Sequence, residues 1–260
     1  MIPLIIMAII QGLTEFLPIS SSGHLLFIQS LFKIKDINLT IDIFLHLATF
    51  LVILIIFFKD ITGIVKSLLS SPFDLKKSNT RLFYLILLAN IPTAIIGLFL
   101  KKYTSFIFEE GFILYITWSI TAVLLIISDR IRKPSLSLDK ITYIQVLLIG
   151  VAQGIAVMPG ISRSGITIIT ALFLGLSRKE SARFSFLAGL PAMLGAFLLE
   201  FKDMGGLDFQ FGELSLVFVI AFLSGLAGIL LLFKLLDLKK FKYFGFYLIL
   251  LLIIKAIFNI

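Results

Sequence analysis

Cysteine is absent from the 260-residue chain. That excludes disulfides, thiolate nucleophiles and thiolate-ligated metal sites, and it leaves the compartment open. Charge is scarce: Asp, Glu, Lys and Arg make up 15% of residues, against about 25% in an average soluble domain. Acidic residues are the scarcer kind, 15 against 23 basic ones, for a formal charge of +8. Only two histidines are present, His24 and His46. No zinc-ligand spacing, Walker A loop or dinucleotide fingerprint occurs. The alternating ~10-residue segments of a transmembrane barrel are missing as well. The N-terminus lacks a positive leading region, and its apolar run leads into Glu15 rather than a small-residue cleavage site. A signal peptide is therefore not expected.

What the chain has instead is apolar surface. It is 59% hydrophobic, where soluble domains are about 45–50%, and its mean hydropathy is +1.11. Long apolar stretches suit helices crossing a ~30 Å hydrocarbon core. The fold class is an all-α polytopic membrane protein forming one membrane domain. Six spans are predicted, at about 41–58, 82–100, 112–128, 184–201, 214–234 and 243–258. A +8 charge would suggest nucleic acid in a soluble protein. Here the basic residues sit in short loops, where the positive-inside rule accounts for them, so the partners are membrane lipids and not nucleic acid.

Loop charge also gives topology. Lys59, Lys66, Lys76, Lys77 and Arg81 outweigh Asp60 and Asp74; Arg130, Arg132, Lys133 and Lys140 outweigh Asp129 and Asp139. These loops belong on the cytoplasmic side, with Arg178, Lys179 and Arg183, and with Lys234, Lys239, Lys240 and Lys242. The loops holding Glu109 and Glu110, and Asp203, Asp208 and Glu213, belong outside. Segment 141–176 then starts and finishes inside, as a re-entrant hairpin or two full spans around Pro159-Gly160. Segment 1–32, broken at Pro18, doubles back from the outside. Each hairpin precedes three spans, so the halves (about 1–128 and 141–258) form an inverted-topology repeat.

The two hairpins also look alike. One reads Gln11-Gly12-Leu13-Thr14-Glu15-Phe16-Leu17-Pro18-Ile19-Ser20-Ser21-Ser22-Gly23-His24, the other Gln153-Gly154-Ile155-Ala156-Val157-Met158-Pro159-Gly160-Ile161-Ser162-Arg163-Ser164-Gly165-Ile166-Thr167. Both carry Gln-Gly, an apolar run, a proline and Ser-x-Ser-Gly, with a one-residue slip. Lipid penalises such polar groups, so at membrane depth they mark a functional site. Each serine stretch stands where a half-helix begins, a place for N-caps and for anions, phosphate above all. Capping alone is the plain alternative for any one serine.

Arg163 fits a guanidinium clamp on phosphate oxygens; the alternatives are a structural ion pair with Glu15 or snorkelling. Glu15 lies one helical turn after Gln11. Together they offer a partial oxygen ligand set for Mg²⁺ or Ca²⁺, while Glu15 could equally orient His24 or act as a base. His24, beside three serines, suits acid/base work, or packing alone. His46 lies inside a span and could line the same cavity. A serine, a histidine and an arginine compose a nucleophilic centre whose natural electrophile is phosphorus. The rival class is a carrier, such as a prenyl-phosphate flippase or ion-coupled transporter, because inverted repeats with broken helices are common there.

These two motifs resemble the signatures of the undecaprenyl-diphosphate phosphatases, the bacitracin-resistance family: Gln11 and Glu15 followed by Pro18-Ile19-Ser20-Ser21-Ser22-Gly23-His24, and Pro159-Gly160-Ile161-Ser162-Arg163-Ser164 with Thr167. Ile91-Pro92 and Phe184-Ser185-Phe186-Leu187 are similar to the family too. The resemblance implies a membrane hydrolase that takes the terminal phosphate from a polyprenyl diphosphate for carrier recycling in cell-wall glycan synthesis. It implies a plasma-membrane site open to the outer face and a divalent cation. By position it makes Ser21 the nucleophile, His24, Glu15 and Arg163 its catalytic company, and Ser20, Ser22, Ser162, Ser164 and Thr167 the phosphate-binding hydroxyls. Gln11 stands where many relatives carry Glu, which removes one charge from any metal site. Pairing of two copies into a homodimer is left open.

Overall fold

The structure is a computed structural model and describes residues 1–32, 34, 39–108, 112–131, 134–202, 211–238 and 240–258. Among these it contains α1 (Ile2–Phe16), α2 (Ser21–Phe32), α3 (Leu39–Ile56), α4 (Phe58–Ser70), α5 (Ser78–Phe108), α6 (Ile113–Ser128), α7 (Tyr143–Ile155), α8 (Arg163–Phe173), α9 (Arg178–Lys202), α10 (Phe211–Leu238) and α11 (Phe241–Phe258). The described residues hold no strand, only a single parallel bridge between Leu136 and Leu176. The protein is an all-α polytopic membrane protein.

All six predicted spans fall on helices: α3, α5, α6, α9, α10 and α11. Five are long and apolar enough to cross a membrane, and α6, at 16 residues, is shorter. One helix was not foreseen. The sequence reads 58–70 as loop because Lys59, Asp60 and Lys66 interrupt its apolar residues. In the structure Lys59 and Lys66 share the exposed side of α4, while Asp60, one turn from the buried Ile64, faces inward and pairs with Arg183 at 2.6 Å. The loop charges Glu109, Glu110, Arg132, Lys133, Asp203, Asp208 and Lys239 lie outside the described residues.

Both hairpins are broken helices, and local chemistry explains each break. Pro18 disfavours helical backbone before it, and Leu17 is extended at φ −69°, ψ 147°. Ser20 then takes a left-handed φ of 68°, and α2 restarts at Ser21. In the second hairpin Pro159 and Gly160 (φ 84°) make the turn. Thr142 and Gln145 form a capping box at the start of α7, and Ser162 caps α8 by accepting from the Gly165 N–H at 3.0 Å. Ser20 does the same for Gly23 at 3.2 Å. The two copies therefore share one capping device.

Lipid tails are as apolar as leucine, so spans associate through close packing and buried hydrogen bonds. α1 lies along α10 and α7 along α5. Gly12 permits the first contact, since a Cβ there would overlap Ala221 and Ser224; Gly150 permits the second against the backbone of Ala89. α6 lies along α11, and α9 is central, touching α3, α5, α8 and α10. Pro92 and Pro191 sit inside α5 and α9. Near them Thr93 donates to Gly150 O at 2.9 Å, and Asn90 donates to Ala188 O at 3.0 Å. Such bonds tie neighbouring spans together.

The loops that charge assigns to one side do meet at one end of the bundle. Arg183 donates to Asp60. Arg81 donates to Leu138 O at 2.8 Å and to Ile141 O at 2.5 Å. Asp129 accepts from the N–H groups of Phe241 and Lys242, both at 3.2 Å.

Candidate active site

The two helix breaks face each other. Ser164 Oγ donates toward Glu15 O and Leu17 O at 3.4 Å, tying the start of α8 to the end of α1. Beside this junction is a cavity of about 380 Å³. Glu15, Ser20, Ser21, Ser22, Ser162 and Arg163 line one wall; His46 and Phe50 of α3 and Met193, Phe197 and Glu200 of α9 line others.

Glu15 is the hub. Its Oε1 accepts from Arg163 Nη2 at 2.8 Å, with the two side chains only 9% and 16% exposed. Its Oε2 accepts from Ser21 Oγ at 2.5 Å and from Gln11 Nε2 at 3.2 Å. A buried carboxylate without such partners would cost several kcal/mol, on the order of 3–5 for one broken pair. Arg163 also donates to Met193 Sδ at 3.2 Å, while its Nη1 is buried and has no protein partner. Ser21 and Arg163 open α2 and α8, whose first-turn N–H groups have no intrahelical acceptor. Two helix N-termini and one guanidinium thus border one cavity, which suits an anion.

The remaining predicted residues lie behind this wall. Thr167 is fully buried, donates to Arg163 O at 2.7 Å and pairs with Ser185 Oγ at 2.5 Å. Ser164 and Thr167 are placed to hold α8, not to touch a ligand. Gln11 is buried beneath Glu15, with its Oε1 unpartnered. His24 does not line the cavity. Its Nδ1 lies 2.7 Å from Ser20 O and its Nε2 3.0 Å from Tyr247 Oη, with the ring stacked on Tyr247 and tilted against Trp118. Both ring nitrogens are engaged away from Ser21. The sequence singled out neither Tyr247 nor Thr93, Met193 and Glu200, and motif spacing carries no signal for them.

For a divalent cation the fit is limited. No group of three or more His, Asp or Glu side chains able to hold a metal occurs among the described residues. Glu15 and the unpartnered Gln11 Oε1 could supply two oxygens. Mg²⁺ is commonly held by one or two carboxylates plus substrate phosphates, so this donor set is adequate only with a phosphate present.

Fold and site together define a polytopic membrane protein with a buried serine–carboxylate–arginine centre bordered by two half-helix N-termini. Residues 4–254 match the family model described as bacitracin resistance protein BacA. The chain belongs to that family. It is 42% identical to an undecaprenyl-diphosphatase of Thermosipho africanus, covering 96% of this chain and 97% of the relative. It is 40% identical to one of Halothermothrix orenii (94% and 92% covered) and 38% identical to one of Methanococcus vannielii (94% of each).

Proposed function

We infer that the protein is a membrane phosphatase that hydrolyses undecaprenyl diphosphate to the monophosphate carrier lipid and inorganic phosphate. Family membership supports the reaction. The observation that carries the chemistry is the 2.5 Å hydrogen bond from Ser21 Oγ to Glu15, itself held by Arg163. A carrier would need the arginine but has no use for a serine hydroxyl aimed at a buried carboxylate, so the transport alternative is not favoured.

The diphosphate enters the cavity, with its prenyl tail leaving along apolar wall residues such as Phe50 and Leu194. Arg163 and the first-turn N–H groups of α2 and α8 bind its terminal oxygens. Ser21 Oγ attacks the terminal phosphorus and gives its proton to Glu15. The prenyl monophosphate leaves, and water then cleaves the phosphoseryl enzyme. Glu15, not His24, is the proton acceptor that this geometry favours. His24 instead steadies the left-handed turn at Ser20 that aims Ser21 at Glu15. Ser20, Ser22 and Ser162 line the phosphate site; Ser164 and Thr167 support it. A divalent cation, Mg²⁺ or Ca²⁺, would be held by Glu15 and Gln11 with substrate oxygens, and would offset phosphate charge.

The site faces the outer side in this reading. Along α9, Arg183 lies at the end with the basic loops, whereas the cavity residue Glu200 lies 17 positions on, about 25 Å at 1.5 Å per residue. The halves 1–128 and 141–258 are an inverted repeat; exchange of partners supports this, because α1 on α10 mirrors α7 on α5.

The test is phosphate release from undecaprenyl diphosphate by purified protein, with and without Mg²⁺ or Ca²⁺. Wild type should release it, and Ser21→Ala and Arg163→Ala should lose at least about 100-fold. Full turnover by Ser21→Ala would overturn the nucleophile assignment.

A further inference from the structure

The phosphoseryl route needs two proton acceptors, and Glu15 can serve as only one at a time. In the first half-reaction it takes the Ser21 proton. In the second it must return that proton to Ser21 Oγ as the Oγ–P bond breaks. If Glu15 holds that proton through the first half-reaction, the attacking water is served by a second base. Of the other groups on the cavity wall, serine and threonine hydroxyls are too weakly basic, and arginine is always protonated. Glu200 also lines the wall, and its negative charge acts on His46 itself. His46 remains.

Its geometry suits the task. His46 Nδ1 lies 3.0 Å from the Asp42 carbonyl oxygen and 3.6 Å from Asp42 Oδ1, one turn back on α3. Two acceptors on that side hold an Nδ1 proton, so that in the neutral ring the lone pair lies on Nε2. Nε2 has no partner among the described residues, and the side chain, 38% exposed, lies on the cavity with Ser21, Glu15 and Arg163. His24 offers no such atom, since both its nitrogens are bound. A helix-surface Asp–His pair of purely structural use would have no need of the cavity.

We propose that His46, oriented by Asp42, takes the proton from the water that hydrolyses the phosphoseryl intermediate. The water oxygen bonds to phosphorus, its proton passes to Nε2, the Ser21 Oγ–P bond breaks, and Oγ recovers its proton from Glu15. Inorganic phosphate leaves, and His46 releases its proton to solvent. This rests on the Ser21 route proposed above, and it divides the reaction in two: loss of His46 should spare the first half and stall the second.

The experiment is rapid-quench turnover of undecaprenyl diphosphate by wild type, His46→Asn and His46→Gln, following prenyl monophosphate, inorganic phosphate and phosphoserine separately. Asparagine can keep the Nδ1-type hydrogen bond to Asp42 while removing Nε2. The expected result is a burst of about one equivalent of prenyl monophosphate, phosphate release slowed at least about 100-fold, and phosphate trapped on Ser21. Prenyl monophosphate and inorganic phosphate appearing together in both variants, with no more phosphoserine than in wild type, would overturn the role of His46. A Ser21→Ala protein that still turns over would instead overturn the Ser21 route, so the two failures are distinguishable.

Discussion

The sharpest test of the arginine's placement is a methyl group on a residue with no functional atoms. Gly189 lies on α9 facing Arg163, and a Cβ there would overlap Arg163 Nη1 and stand 3.1 Å from Cζ. The guanidinium has little freedom to yield, because Nη2 is fixed by Glu15 at 2.8 Å and by Met193 Sδ at 3.2 Å. Gly189→Ala should therefore pull Arg163 off Glu15. A hydrogen bond to a charged group is worth about 1.5–3 kcal/mol, and each 1.36 kcal/mol is tenfold in rate, so kcat/KM should fall roughly 10–150-fold. Stability should fall as well, because the buried Glu15–Arg163 pair is loosened, but by less than the full loss of the pair. Alanine gains about 1 kcal/mol over glycine inside a helix, and the obstructing atoms are the far end of a flexible side chain. Gly195, six residues along α9, has nothing within 4 Å of an added Cβ, which makes Gly195→Ala the matched control. The assay is phosphate release beside thermal unfolding in detergent. If Gly189→Ala and Gly195→Ala have the same kcat/KM, Arg163 does not act from the position described.

Three further outcomes follow from the same contacts. Glu15→Gln keeps the shape of the hub but cannot take the Ser21 proton, so kcat should fall by about 10²–10⁴ while equilibrium binding of a prenyl monophosphate survives; loss of both would point to a purely structural carboxylate. Tyr247→Phe removes only the Nε2 partner of His24, so it should cost about 0.5–1.5 kcal/mol of stability and leave turnover within a few fold; abolished turnover would restore His24 to proton transfer. Arg81→Lys cannot span both Leu138 O and Ile141 O, so the 134–142 segment should become several-fold more susceptible to limited proteolysis, and an unchanged cleavage rate would mean that the fork is dispensable.

The contact of Glu15 with Arg163, 148 positions away, stood in the sequence only as the alternative to a phosphate clamp, although both residues were legible as site residues because a charge in lipid is costly without a partner or ligand. The paired serine stretches were legible for a similar reason. A break at membrane depth needs caps, and Ser20 and Ser162 supply the same one. His24 was not legible. Sequence sets it beside three serines, but which way the ring turns depends on how α2 packs against α6 and α11, and Tyr247 is 223 positions away. α4 was hidden by lysines that read as loop in a string and as one helix face in space.

The site's location follows from what a broken helix leaves undone. α2 and α8 begin beside one cavity, and each leaves first-turn N–H groups that no carbonyl of its own helix can reach. Ser20 and Ser162 satisfy one donor apiece, at Gly23 and Gly165. In hydrocarbon the remaining donors would be a pure cost. Bordering a polar cavity, they become the part of the fold that an arriving phosphate completes. Arg163 belongs to the same arrangement: one nitrogen is neutralised by Glu15 and the other is left without a protein partner. The first-turn donors of α2 and α8 on this wall are what a ligand rich in acceptors would complete.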